Sequence, residues 1–290
     1  MAGIGCREAG AEGARGTVRC RGCGLMSGQL LLICLLTLFV HAAETSSYAI
    51  RLAGIRSRKL AVALSLTGMV LLVARTSNLF QSKYVGELVD QAKGGGGADL
   101  GGQIHIILGG AALGTLTAIL LFPTLSFLSM RLVARLEALG SIPALMRESV
   151  SVDKLKMVGH YARLPRLRML SRLRIGGIPK RLLLLNTLIT GIYTVGVLSA
   201  MYAAYLAPAA ATEAVGSSGI INGIATILLT LFVDPRVALL TDKVMGGQTS
   251  EAEMQRMFGL LMLSRLAGTL LAHLLLWPGA QLVVWYISLD

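Results

Sequence analysis

The chain has 290 residues, of which 54% are hydrophobic and only 14% charged, and its mean hydropathy is +0.69. A soluble domain carries roughly 25% charged residues, so a water-soluble globule is excluded and an all-α integral membrane protein is indicated. The net charge of +12 is concentrated: residues 131–181 hold twelve Lys/Arg against three Asp/Glu, and Arg51, Arg56, Arg58 and Lys59 crowd into nine residues. Basic clusters beside apolar runs face anionic phospholipid, whereas nucleic-acid binding needs an exposed soluble module that the sequence lacks.

Residues 1–25 read as an unstructured leader, with MSGQLLL at Met26 as a natural start; a signal peptide fits less well, because no AxA-like site follows the apolar run. Cys20 and Cys23 form a lone CxxC without a second pair, too little for a zinc site or a disulfide framework.

Residues 26–130 carry the first three apolar runs. The first helix is expected over 29–49 and the second from Leu60 past Phe80. A flexible turn follows at 90–102, where Gly94 to Gly97 stand together. The third helix is expected over 103–130, kinked by Pro123. Each run is near the ~20 residues that cross a bilayer. Residues 131–181 form a basic segment cut by Pro143, Pro165 and Pro179, with the Leu/Arg spacing of an interfacial amphipathic helix. Residues 182–290 supply three more helices, at 182–206, 220–240 and 257–288. About six crossings put both basic clusters on one side, which the positive-inside rule makes cytoplasmic, so both termini are expected outside. The apolar runs are too long, and do not alternate, for a membrane barrel.

Charges inside such spans cost at least ~2.5 kcal/mol unless they meet water or a partner. Five stand out: Glu44, Arg75, Asp234, Arg236 and Arg265. Glu44 shares a helical face with His41 and Tyr48. Two readings of Glu44 are open: a cavity carboxylate that pairs with an arginine or titrates, or a static ion pair near the interface. His41 reads first as a packing residue. Arg75 begins the polar patch Arg75-Thr76-Ser77-Asn78 and suits anion contact, an ion pair or snorkelling. Asp234-Pro235-Arg236 interrupts the fifth run, and Pro235 is expected to leave the carbonyl four residues earlier, given as Thr230, without its amide partner. Such breaks build substrate sites in transporters; the alternative is a kink near the helix end. Arg265 is placed to meet Glu44 or Asp234. Two carboxylates against three guanidiniums leave one positive charge, which suits a phosphate or diphosphate.

Metalloprotease, serine hydrolase and nucleotide-loop motifs are missing, so no cofactor is implied, and active transport would draw on the membrane potential, an ion gradient or a partner.

The stretches ETSSYAIRLAGIRSRKLAVALSLTGMVLLVARTSNLFQSKYVGELVD (44–90) and ATILLTLFVDPRVALLTDKV (225–244) resemble the alternate lipid II flippases, the Amj-like family that substitutes for MurJ in bacterial cell-wall synthesis. The resemblance runs from about Met26 to the C-terminus. It implies a six-helix inner-membrane protein, not an enzyme, that moves the undecaprenyl-diphosphate-linked peptidoglycan precursor from the inner to the outer leaflet. Lipid II, anionic phospholipids and cell-wall synthesis proteins are the implied partners. Glu44, Arg51, Arg75, Asn78, Asp234 and Arg236 fall within these stretches, with Pro123 and Pro235 as candidate hinges. The competing readings are another gradient-driven carrier of an anionic solute or lipid, and a non-transporting membrane scaffold. A polyprenyl-phosphate enzyme is weaker, because the transmembrane carboxylates lack a metal-ligand partner.

Overall fold

The computed structural model describes residues 21–94, 99–149 and 178–289. The leader up to residue 20, the centre of the Gly-rich turn and most of the basic segment lie outside the described residues, and so does Cys20 of the CxxC pair.

The described chain is helical. It comprises α1 (Arg21–Arg56), α2 (Leu60–Lys93), α3 (Leu100–Leu120), α4 (Phe122–Leu139), α5 (Ile142–Ser149), α6 (Lys180–Leu206), α7 (Ala211–Leu228), α8 (Asp234–Met245) and α9 (Glu251–Ile287). Six membrane-spanning helices result, because α7 and α8 run on as one span from Pro208 to Met245 through a five-residue π-helical turn, Leu229–Val233.

Most spans outrun the apolar windows that announce them. α1 begins inside the stretch expected to be leader and carries Arg51 and Arg56 on its last turns. It stops where Arg58 takes a positive φ of 55°, a conformation that L-residues adopt singly in turns. α2 continues to Lys93 and α9 starts at Glu251 rather than near 257. The link expected at 207–219 is a short 3₁₀ turn followed by the start of α7.

The third run departs most from expectation. It is not one helix kinked at Pro123 but two, separated at Leu121, whose φ of −90° and ψ of 0° close α3. Pro123 sits in the first turn of α4, where its missing N–H costs nothing and its fixed φ favours helix. Only α3 is long and apolar enough to span; α4 is more strongly amphipathic and buries Ser126, Ser129, Val133 and Leu136.

Three ties fix the ends of the bundle. Arg56 faces Glu251 at 3.7 Å, and Lys59 pairs with Glu137, so the α1–α2 turn, the end of α4 and the start of α9 share one face. At the other face, the Gln29 side chain donates to the Tyr84 carbonyl at 3.2 Å, joining the start of α1 to the end of α2.

The interior is built for close packing. α9 packs most extensively on α6, where a Cβ on Gly268 would come within 2.6 Å of the Thr187 carbonyl oxygen. α3 meets α1 in the same way, and a Cβ on Gly114 would lie 2.2 Å from the Leu38 carbonyl oxygen. Small residues that let backbones touch are the usual seam between helices in lipid, where apolar side chains gain nothing by leaving a solvent as apolar as they are. Asn186 fastens the α6–α9 seam by donating to Ser264 Oγ at 2.7 Å and to the Leu261 carbonyl at 3.1 Å. Outward, Leu72, Leu79, Ile227, Leu231 and Leu274 are exposed, as lipid-facing positions should be.

Candidate functional site

A cavity of about 210 Å³ opens between α1, α2, α6, the α7–α8 span and α9. Its wall contains Glu44, Tyr48 and Arg51 from α1, Arg75 from α2, Asp234 from the start of α8 and Arg265 from α9. Six residues selected from sequence therefore meet in one place. Asn78, Arg236 and His41 are not part of that wall. Asn78 is half-buried further along α2, and Arg236 is exposed on α8. His41 is 5% exposed and lies one turn before Glu44, with its Nδ1 buried and unpartnered.

These groups share a level because of helix length. Arg265 lies about 14 residues beyond Glu251, or ~21 Å at ~1.5 Å per residue, deeper than its placement on a shorter sixth helix. Arg75 lies ~22 Å along α2 from Leu60, and Glu44 ~18 Å back from Arg56 on the neighbouring helix. All three therefore lie in the interior of their spans, at a similar distance from the end of the bundle that carries Arg56 and Glu251.

Two ion pairs cross the cavity. Arg265 Nη2 donates to Glu44 Oε2, with the side chains only 12% and 11% exposed. Tyr193 of α6 lines the same cavity as that carboxylate. Arg51 Nη1 stands 3.9 Å from Asp234 Oδ1 in a wetter setting, at 25% and 45% exposure. Arg75 has no carboxylate within ion-pair distance among the described residues. The wall therefore holds two carboxylates and three guanidiniums, leaving one positive charge unbalanced. This is the balance expected from sequence, but Arg51 takes the place given to Arg236.

Both paired arginines keep unused donors. The Nε atoms of Arg51 and Arg265 are buried and without acceptors. A buried N–H lacking an acceptor costs roughly 1–3 kcal/mol, so neither guanidinium is fully satisfied by its carboxylate.

The opposite wall offers acceptors. Along it run Thr226, Thr230 and Asp234, with Thr190 from α6. In a regular α-helix Pro235 would deprive Leu231, not Thr230, of its amide. The π-helical turn shifts the register: the Asp234 N–H donates to the Leu229 carbonyl, five residues back. Pro235 has no N–H to follow it, so the Thr230 carbonyl loses both the amides that could close on it. Four residues back from Pro235 is Leu231, so the sequence expectation of Thr230 rests on a miscount; the π-helical turn, and not that count, singles out Thr230. Thr190 and Thr226 were missed in sequence because a threonine hydroxyl in a transmembrane helix usually bonds its own preceding turn, as Thr226 does to Asn222 at 2.8 Å, and Tyr193 because a lone tyrosine in an apolar run carries no signal of which way it faces.

The Amj family, described as "Alternate to MurJ", matches residues 36–287. The chain is similar to a protein of Bacillus subtilis (strain 168) called "Lipid II flippase Amj", with 40% identity over 262 residues, covering 90% of this chain and 97% of that one. No solved structure matches.

Proposed function

The chain belongs to the Amj family, and on that premise we propose that it is a lipid II flippase, a non-enzymatic transporter that carries the undecaprenyl-diphosphate-linked peptidoglycan precursor from the inner to the outer leaflet of the bacterial cytoplasmic membrane. The observation that carries the mechanism is the pair of buried Nε donors on Arg51 and Arg265, in a wall with one surplus positive charge. A diphosphate in bare hydrocarbon loses its hydration shell without replacement, at a cost that stops passage. Guanidinium forks restore those hydrogen bonds in bidentate form inside the slab.

The polyprenyl tail stays in lipid. α2 and the α7–α8 span each pack on other helices, but they share no extensive contact with each other among the described residues, and both line the cavity. The tail lies along that seam, against lipid-facing Leu72, Ile227 and Leu231, while Arg75 meets the diphosphate at the edge. A volume of about 210 Å³ suits a diphosphate but is far smaller than a disaccharide pentapeptide. The headgroup therefore crosses only when α2 moves away from α7–α8. The Leu121 break before Pro123 and the π-helical turn before Pro235 are the hinges proposed for that motion.

The face carrying Arg56, Lys59, Arg131 and Arg135 is proposed as cytoplasmic, with both termini outside. On that face the basic segment 131–181 collects anionic phospholipid and offers a surface to cell-wall synthesis proteins. Expression in cells stripped of other lipid II flippases tests the reading. Growth and lipid II exposed to an outside label are expected to return; unrestored growth with the protein present in the membrane contradicts it.

A further inference from the structure

We propose that Glu44 takes up a proton when the headgroup binds, so that each precursor is accompanied by one proton; this rests on the flippase reading above. The argument is one of charge. Glu44 and Asp234 against Arg51, Arg75 and Arg265 leave the empty cavity with one excess positive charge. A dianionic diphosphate diester turns that into one excess negative charge. The guanidiniums cannot give up a proton, so the excess positive charge of the empty cavity persists, whereas an excess negative charge in a poorly hydrated wall is removed by protonating a carboxylate.

Of the two carboxylates, Glu44 is the one that loses its partner. Its side chain is 11% exposed, and its cation is Arg265, whose Nε already lacks an acceptor. As a diphosphate draws the Arg265 guanidinium to its own oxygens, Glu44 is left buried without its cation. Asp234 is 45% exposed and keeps its charge by hydration when Arg51 turns away.

The ionisable groups of the cavity wall that bear on Glu44 are Tyr48 and Arg51 on α1, Arg75 on α2, Tyr193 on α6, Asp234 on α8 and Arg265 on α9; His41 bears on it from behind that wall, one turn earlier on α1. α3 and α4 also pack on α1 but add none to the cavity. His105 of α3 is stacked on His273, and Glu137 of α4 pairs with Lys59. The proton comes from the aqueous phase that the cavity faces, and no other bond is made or broken.

Titration calorimetry of the full chain in lipid nanodiscs tests this, with a short-chain lipid II as probe and buffers of different ionisation enthalpy. The wild type is expected to take up on the order of one proton per headgroup, its affinity rising about tenfold per pH unit as pH falls across the uptake range. Glu44→Gln is expected to bind without uptake and without that slope. Arg265→Gln is the second variant: Glu44, unpaired from the start, is already protonated, so binding is weaker and uptake is lost. Wild-type binding without proton uptake overturns the proposal and leaves the diphosphate site standing. Uptake undiminished in either variant also overturns it, by placing the proton elsewhere. No binding of the probe to the wild type would remove the diphosphate reading itself.

Discussion

Arg265 of α9 and Glu44 of α1, distant in sequence, are joined side chain to side chain in the middle of the bundle with scarcely a tenth of either exposed. Removing one member of such a pair strands the other charge, which costs roughly 3–5 kcal/mol, whereas replacing both by neutral groups avoids most of that penalty. Arg265→Gln is therefore expected to lower the thermal midpoint of the detergent-purified protein more than the double variant Glu44→Gln/Arg265→Gln. A double variant less stable than the single would mean that the pair is not a mutual neutraliser.

Arg75 has no such partner among the described residues. Its loss removes a ligand contact without stranding a carboxylate, so Arg75→Gln should leave the thermal midpoint unchanged. Lipid II exposure should fall by about tenfold or more, the worth of one charge-assisted hydrogen bond at ~1.5–3 kcal/mol. Arg236, exposed and outside the cavity, serves as the control: Arg236→Gln is expected to keep both properties.

Backbone approach at the glycine seams sets a third expectation. A Cβ at Gly114 would overlap the Leu38 carbonyl oxygen, which cannot swing aside as a side chain could. Gly114→Ala should push α3 from α1 and cost about 1–3 kcal/mol, as over-packing does. Gly109 of the same helix has nothing within 4 Å of its Cβ position, so Gly109→Ala should be tolerated. Unfolding of the two purified variants compares them directly.

The π-helical turn gives a fourth. Pro235→Ala returns an amide where Thr230 lacks one, and should let α7 run into α8 with a regular register. Higher thermal stability with slower flipping is expected. Unchanged flipping would show that neither the freed carbonyl nor the hinge is needed.

The sequence made the spans legible because apolar runs of bilayer length have few other uses. It made the candidate site legible because ionisable residues within those runs are costly to keep. Glu44, Arg75, Asp234 and Arg265 could be selected from cost alone, and Arg51 from its stretch. What could not be read was partnership: Arg51 rather than Arg236 faces the cavity because α1 stays helical through Arg56, beyond its apolar window. The division at Leu121 was hidden for a related reason. Proline inside an apolar run is read as a kink, while the same residue two positions after a break starts a new helix. The hydroxyls of Thr190, Tyr193 and Thr226 gave no signal, since only packing decides which of many transmembrane hydroxyls faces water.

The most direct test of the central claim, that guanidinium groups inside the membrane carry the diphosphate, is lipid II labelled at the outer surface of cells lacking other flippases. Arg51→Gln, Arg75→Gln and Arg265→Gln, at equal membrane levels, are each expected to reduce the labelled fraction, while Arg236→Gln matches the wild type. Wild-type labelling in all three cavity variants would contradict the claim, because the headgroup would then be crossing without the charges held to conduct it.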